Sequence, residues 1–554
     1  MKTGRLRAVL FISAFLPVQT EHQPAVADCL YMFDSETHTM SRSEDTGGGM
    51  EAESVEFLLT AQEAYPAFER LVLDARRHVS ISMRMFDPAT KLKSDEGKAI
   101  GRDWADLLTH KLDEGVRFTI VISDFDPVAR PELHRYSWES RAACLAAAAA
   151  SSNPGALTVD VHMHKAQVGW AHRVMFMPVT RRKLRDECNR LSGLEQEACD
   201  TALEHMPKFR RMVRKQGRKL FPRIWPPAPL IPATHHQKMA VVDDETLYIG
   251  GLDLNPRRYD DKAHDRAPEK TWHDVQAVVT GPVVRAAARH LAEFREVTAG
   301  DRAPSPFGGL LRTLSSDIPG GRRLAPREIL SEIEEAHLRL IRTARDYIYI
   351  ETQFLRSTPI TDALVAAAEA MPELQLVVML PAAPEDVAFD RSDDVDARYG
   401  EQLQSDAVER LREAYGERVF FGSPAQTRPM DTGHRDSHYG APIIYIHAKL
   451  IIVDGRAAVV SSANLNGRSM RWDSEAGIEV ADPLLVASFF EKCTKHWYSD
   501  SIPGNTAIAA TWSEAAQSNA RRNPEDREHF VLPYAVEPAA EMGEPLPGVP
   551  EEMV

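Results

Sequence analysis

The stretch THHQKMAVVDD, starting at Thr234, sets His236, Lys238 and Asp243 at the spacing H-x-K-x4-D, and IHAKLIIVDG, starting at Ile446, repeats it with His447, Lys449 and Asp454. A single copy fixes only three positions and reads as a strand with a polar edge. Two copies constrain much more, because the agreement continues past the aspartates. Six residues separate Asp243 from Gly250-Gly251-Leu252-Asp253, and six separate Asp454 from Ser461-Ser462-Ala463-Asn464. Each copy is an apolar strand, a polar turn, a second apolar strand and a small-residue turn. An internal repeat of this kind decides the architecture before any local propensity does. The chain is expected to fold as two similar halves, each contributing one such hairpin.

The surrounding pattern has a βαβ rhythm in both halves. VSISMRMFDP alternates like a strand, GKAIGRDWADLLTHKLDEG reads as a helix, and VRFTIVISDFDP as a buried strand. Later, REILSEIEEAHLRLIRTAR is amphipathic, DYIYIETQFL and LQLVVMLP read as strands, and DVDARYGEQLQSDAVERLREAYG is a long helix. This favours α/β sandwich units with mixed sheets flanked by helices. We place the first unit at 51–300, with a helical insertion around 131–230, and the second at 325–500. Residues 301–324, rich in Gly, Pro and Asp, read as a linker, and 501–554 as a C-terminal extension, acidic, Pro-rich and partly disordered.

Lys2, Arg5 and Arg7 precede the apolar run AVLFISAFLPV, and Ala25-Val26-Ala27 follows, the layout of a cleavable signal peptide over residues 1–27. Residues 28–50 read as a linker. Secretion is the favoured expectation, with a cytoplasmic or peripheral membrane location otherwise. The formal net charge of -15 argues against general nucleic-acid binding. Locally, however, KFRRMVRKQGRK, at the end of an expected run of polar helices, carries seven basic residues in twelve, followed by Phe221 and Trp225. That combination suits an anionic membrane surface, or a solvated helix with a rigid connector. The cysteines, at 29, 144, 188, 199 and 493, show no metal-binding spacing; Cys188 and Cys199 are read as free thiols rather than a pair.

Residues i and i+2 of a strand share a face, so His236 projects with Lys238 and His447 with Lys449. Two imidazoles and two ammonium groups brought face to face suit a phosphodiester. The lysines would hold non-bridging oxygens and the histidines supply a nucleophile and an acid. No metal or other cofactor is required by this inventory. His162 and His164 could share a strand face, but no third ligand is evident, and His235 is read as packing.

The chain resembles the phospholipase D superfamily, whose signature is the duplicated H-x-K-x4-D motif. GGLDLNPRRYDD, TWHDVQAVVTGPVV, IYIETQFL and SSANLNGRSMRWDSEAGIEV are each similar to stretches of that family, over about residues 51–500. The resemblance implies two α/β units with the active site at their interface. It implies His236 as nucleophile forming a phosphohistidine, His447 as acid and base, and Lys238, Lys449 and Asn464 as phosphoryl-binding groups. It also implies Asp274 and Glu475 as the carboxylates orienting the histidines, expected crosswise: Glu475 with His236, Asp274 with His447. Asp243 and Asp454 belong to the motif, but their place at strand ends favours a structural role. Asp253 stands where the second copy has Asn464 and is kept away from the phosphate. The resemblance implies hydrolysis of a glycerophospholipid to phosphatidate and a free head group such as choline, with transphosphatidylation at a membrane surface; no nucleic-acid partner is expected from the acidic balance, and both motifs in one chain would let a monomer hold a complete site. Alternatives are a cardiolipin synthase-like phosphatidyltransferase and a nuclease of the same superfamily.

Overall fold

The computed structural model describes residues 54–306, 308–318, 324–430, 432–499 and 504–554. The signal-peptide and linker expectations for residues 1–50, with Cys29, lie outside the described residues. The chain divides into two compact units. One comprises Met1–Gly48 and Leu546–Pro550, of which only the short turn-containing segment 546–550 is described. The other, Gly49–Pro545 with Glu551–Val554, contains every feature discussed below.

Within that unit the duplication is visible as two sheets of matching topology. The first is built from β1 (Ser54–Leu59), β2 (His78–Met83), β3 (Arg117–Ser123) and β4 (Leu157–His162). A separate hairpin, β5 (Val213–Gln216) and β6 (Lys219–Pro222), precedes its last strands, β7 (Met239–Val242), β8 (Thr246–Gly250) and β9 (Val275–Thr280). The strand order is β1-β9-β8-β7-β2-β3-β4, with β2, β3 and β4 parallel and the other pairs antiparallel. The second half supplies β10 (Leu310–Ser316), β11 (Arg327–Ser331), β12 (Tyr347–Thr352), β13 (Gln375–Met379) and β14 (Val419–Pro424). After a two-residue ladder, β15 (Ser437–His438) with β16 (Ala441–Pro442), come β17 (Lys449–Val453), β18 (Ala457–Ser461), β19 (Glu475–Val480) and β20 (Val531–Pro533). The order β11-β10-β19-β18-β17-β12-β13-β14-β20 reproduces the first sheet and adds one strand at each edge.

Alternation along the hairpin strands builds the layers. Met239 and Val241 of β7 share one apolar core with Leu450 and Ile452 of β17. Ala240 and Val242 face the helices of the first half, among them Phe68 and Leu107, and Ile451 and Val453 face those of the second, among them Leu340 and Leu411. The two sheets are therefore joined through the faces opposite Lys238 and Lys449. The face-to-face meeting of lysine-bearing hairpins expected from the alternation does not occur; the reactive side chains come together at the strand ends instead.

Four segments differ from the sequence reading. Residues 310–316, inside the expected linker, are β10, the counterpart of β1, and pair with β19; flanking Gly, Pro and Asp masked a short LLRTLSS strand. Within the expected insertion, Pro131–Ala150 is instead the crossover helix that a parallel β3–β4 pair requires, burying Cys144 and Ala147. The inserted part follows β4 and has its own small core, in which Cys188 and Cys199 are free and buried among Leu184, Leu191 and Phe209. The basic run ends not in a helix but in the β5–β6 hairpin, turned at Gly217 with φ +59°. Finally, the tail after 504 is ordered in its central part: the helix Ala509–Ala520 buries Trp512, and β20 pairs with β14.

The motif aspartates lie at the far ends of β7 and β17 from the histidines, about 20 Å away at the rise of an extended strand. Both adopt the left-handed conformation, with φ 53° at Asp243 and 54° at Asp454. Asp243 accepts the backbone N–H groups of Arg76, Arg77 and His78 at 2.7–2.8 Å; Asp454 accepts those of Arg345, Asp346 and Tyr347 at 2.7–2.9 Å. Each carboxylate thus ties the hairpin turn to the chain entering β2 or β12. Although burial opposes it, the three amides hold the Asp243 carboxyl below its ordinary range. These two residues, counted among the catalytic candidates in the sequence, are located as backbone anchors. Asp243→Ala is expected to lower the unfolding free energy by about 2–3 kcal/mol in a urea titration, since three charge-assisted bonds are replaced by partial hydration.

Candidate active site

The histidine-bearing segments cross from one half to the other just before their strands begin. His235 forms a parallel bridge with Ser474, and the N–H groups of His236 and Gln237 both donate to the Ser474 carbonyl at 2.8 Å. In mirror fashion Ile446 bridges His273, and the N–H of His447 donates to the His273 carbonyl at 2.7 Å. These backbone contacts deliver the next side chains. Nδ1 of His236 lies 2.8 Å from Oε1 of Glu475, and Nδ1 of His447 lies 2.6 Å from Oδ2 of Asp274. The pairing is crosswise: each half supplies the carboxylate for the other half's imidazole. With Nδ1–H donated to a carboxylate, Nε2 of each ring is the nitrogen left for chemistry.

The room for each carboxylate comes from the small-residue turn after the second hairpin strand. A Cβ on Gly251 would stand 2.1 Å from Oδ1 of Asp274. At the corresponding place Ser462 instead donates its hydroxyl to Oε2 of the longer Glu475 at 2.5 Å. This explains why the two turns, GG and SS, differ where the carboxylates differ.

The lysines are buried beside the histidines. Nζ of Lys238 donates to the His236 carbonyl at 2.5 Å and lies 4.0 Å from Asp253. Nζ of Lys449 donates to the His447 carbonyl and is 2.8 Å from Nδ1 of His447. Burial lowers both ammonium groups, Lys449 to about 7. Burial also pushes Asp274 up to about 6 and Glu475 to about 8, and pulls both histidines well below their ordinary value, helped by the lysine charges. A dry site between two cations disfavours imidazolium, so Nε2 is unprotonated and nucleophilic near neutral pH. A phosphate seated between the lysines would offset their repulsion and restore basicity to the ring that must carry a proton.

Asn464 stands near the end of the second hairpin, with Oδ1 buried and without a hydrogen-bond partner among the described residues. Its counterpart Asp253 spends Oδ1 on the Met85 N–H at 2.9 Å, while Oδ2 has no hydrogen-bond partner among the described residues. Several groups have no explicit place in the sequence reading. Trp272 packs its ring 4.6 Å from that of His447, and the Arg258 guanidinium lies 3.5 Å over Trp272. Both occur in the family-like stretches, which were the available signal. Arg84, half-buried and acting electrostatically on His236, gave none. His235 packs against Phe294 and the rings of His162 and His164, at 5.1–5.3 Å for the two imidazoles, so these three form an aromatic cluster behind the site.

Paired imidazole-and-carboxylate units flanked by cationic donors would suit covalent transfer of an anionic group. Residues 337–497, which include His447, Lys449, Asn464 and Glu475, match the family described as cardiolipin synthase, phospholipase D-like domain. Phospholipase D1 of Saccharomyces cerevisiae is 25% identical over 348 residues, covering 46% of this chain and 20% of that protein. Phospholipase D alpha 1 of Vigna unguiculata is 24% identical over 375 residues, covering 46% of each. The chain thus matches less than half the length of these relatives. Among solved structures, phosphatidylserine synthase of Haemophilus influenzae aligns over 84% of this chain and 90% of its own, at 13% identity and a TM-score of 0.46. Residues 337–497 thus carry a phospholipase D-like domain, and the chain is similar to phospholipases D over nearly half its length.

The crowding at Gly251 gives a direct test of carboxylate placement. Gly251→Ala is expected to lower kcat/KM by about a hundredfold, the cost of moving a catalytic constellation by roughly 1 Å, in a steady-state phosphodiesterase assay with thermal unfolding as control.

Proposed function

We propose that the protein is a phospholipase D, cleaving the phosphodiester of a glycerophospholipid to phosphatidate and a free head group such as choline. The observation that carries this is the pair of histidines with crosswise carboxylates between two buried lysines. In this reading Nε2 of His236 attacks phosphorus and the P–O bond to the head group breaks, with His447 giving its proton to the departing alcohol. Water then attacks the phosphohistidine. His447 takes a proton from it, and the P–N bond to His236 breaks. Lys238, Lys449 and the Asn464 amide stabilise the phosphoryl oxygens throughout. An alcohol in place of water yields a transphosphatidylation product.

Incubation with mixed phospholipid vesicles and a little ethanol, read by lipid mass spectrometry, is expected to give phosphatidate and phosphatidylethanol. His236→Ala and His447→Ala should each reduce both products by at least about 10⁴-fold, with circular dichroism unchanged. Products from a phosphatidylglycerol acceptor in preference to water would support the phosphatidyltransferase reading instead. Intact lipids with cleaved single-stranded DNA would support the nuclease.

A membrane-facing role for the insertion is part of the same proposal. Ile224, Trp225 and Trp170 are 70%, 60% and 54% exposed, and the two indoles touch at 6.2 Å. The β5–β6 hairpin beside them presents Arg214, Lys215, Arg218 and Lys219 to solvent. A cavity of about 510 Å³ lies beneath, lined by Met163, Met177, Ile224, Pro226 and Pro227 among others. Exposed aromatics beside cations suit the interface of an anionic bilayer. The described residues include no helix long and apolar enough to cross a membrane. The double substitution Ile224→Ala, Trp225→Ala is expected to weaken sedimentation with phosphatidylserine-containing vesicles about tenfold or more, leaving hydrolysis of a short-chain soluble substrate unchanged.

A further inference from the structure

A second cluster of histidines lies outside the site described above. His264, in the loop after β8, His273, directly before Asp274, and His496, on the helix Pro483–Tyr498, are all buried. One ring nitrogen from each lies within 4.8 Å of those of the other two. Their rings gather with centroids 4.6–6.1 Å apart. We propose that these three imidazoles form a structural site for a divalent transition-metal ion, Zn²⁺ in the first instance.

Three features support an ion rather than simple packing. First, two buried carboxylates fix the tautomers. Nδ1 of His264 is 2.6 Å from Asp260, and Nε2 of His273 is 2.6 Å from Glu351. A carboxylate behind a metal-bound imidazole is the usual outer-sphere arrangement. It leaves Nε2 of His264 and Nδ1 of His273 with their lone pairs available. Second, the lone pairs lack other partners. Nε2 of His264 meets only Nε2 of His496, at 3.0 Å, and Nδ1 of His273 has no hydrogen-bond partner among the described residues. Ligand nitrogens at roughly 2.0–2.1 Å from a tetrahedral ion stand about 3.3 Å apart, close to the 3.0 Å between His264 and His496 and inside the 4.8 Å within which all three nitrogens lie. Third, Asp260 and Glu351 place two buried acidic side chains directly behind the imidazoles, a setting that favours a dication over an empty cluster. The backbone of His264 is held in the left-handed region, φ 50°, as expected of a side chain whose place is fixed by its surroundings.

The position gives the ion a consequence. His264 and His273 belong to the first half, and His496 and Glu351 to the second. Bound metal would fasten the loop carrying Asp274, and hence the carboxylate of His447, onto the helix Pro483–Tyr498. It would act as a positioning element and take no part in the transfer itself.

The test is the metal content of the full-length protein, purified without an affinity tag from zinc-containing medium and dialysed. Near-stoichiometric zinc is expected by elemental mass spectrometry, and His496→Ala should hold zinc at least about tenfold more weakly. Since that variant removes a buried side chain, the wild-type chain should also be unfolded with chelator and refolded with Co²⁺. The visible d–d absorption of tetrahedral, nitrogen-ligated cobalt is the expected result. Folded wild-type protein that holds no zinc, takes up no cobalt and shows no rise in melting temperature with added Zn²⁺ would overturn the proposal. So would His496→Ala protein retaining a full equivalent. None of these readouts depends on which phosphodiester the enzyme cleaves.

Discussion

The exchange of carboxylates across the two halves is the interaction on which the site depends. Neither half can orient its own imidazole. His236 waits on Glu475 and His447 on Asp274, and the backbone carbonyl of the residue before each carboxylate holds the histidine's own N–H. Orientation and register are set by the same short parallel bridges. The shared core between the sheets, with Met239 and Val241 against Leu450 and Ile452, therefore has a functional duty. A shift of one sheet along the other would separate both pairs at once, because a packed interior transmits displacement rather than absorbing it.

Burial is what makes the arrangement reactive. Two lysines, two histidines and two carboxylates would be unremarkable in water. Closed away together, each group is pushed toward its neutral form and held charged only by its neighbours. The Lys449 ammonium, lowered to about 7, and the Glu475 carboxyl, raised to about 8, are poised near neutrality. The phosphodiester proposed as substrate would suit such a site, because its negative charge would offset that of the lysines.

Much of this was legible in the sequence, for a specific reason. The repeat is carried by strands, whose two-residue period and fixed hairpin length survive as a countable spacing, so both histidines and both lysines could be placed by position, while Asp274 and Glu475 came only from the resemblance of their stretches to the phospholipase D superfamily. What resisted reading were relations that period cannot express. β10 is a seven-residue strand in a Gly- and Pro-rich setting, and its identity rests on pairing with β19, far along the chain. Alternation correctly put Lys238 and Lys449 with their histidines. It did not reveal that the opposite faces meet, because which face is covered depends on the helices. The roles of Ser462 and Gly251 emerge only when a carboxylate is seen beside them. The histidines at 264, 273 and 496 have no common spacing at all.

The anchoring of Asp243 and Asp454 changes what the three-letter motif means. On the function proposed above its first two letters would meet a substrate, whereas its third is read by the chain's own amides. Selection acting on turnover and selection acting on folding would therefore bear on different parts of one short string. A copy that had lost its reaction but kept its shape would shed the histidine and lysine first and the aspartate last. The surviving letter would mark a former enzyme in a scaffold doing other work.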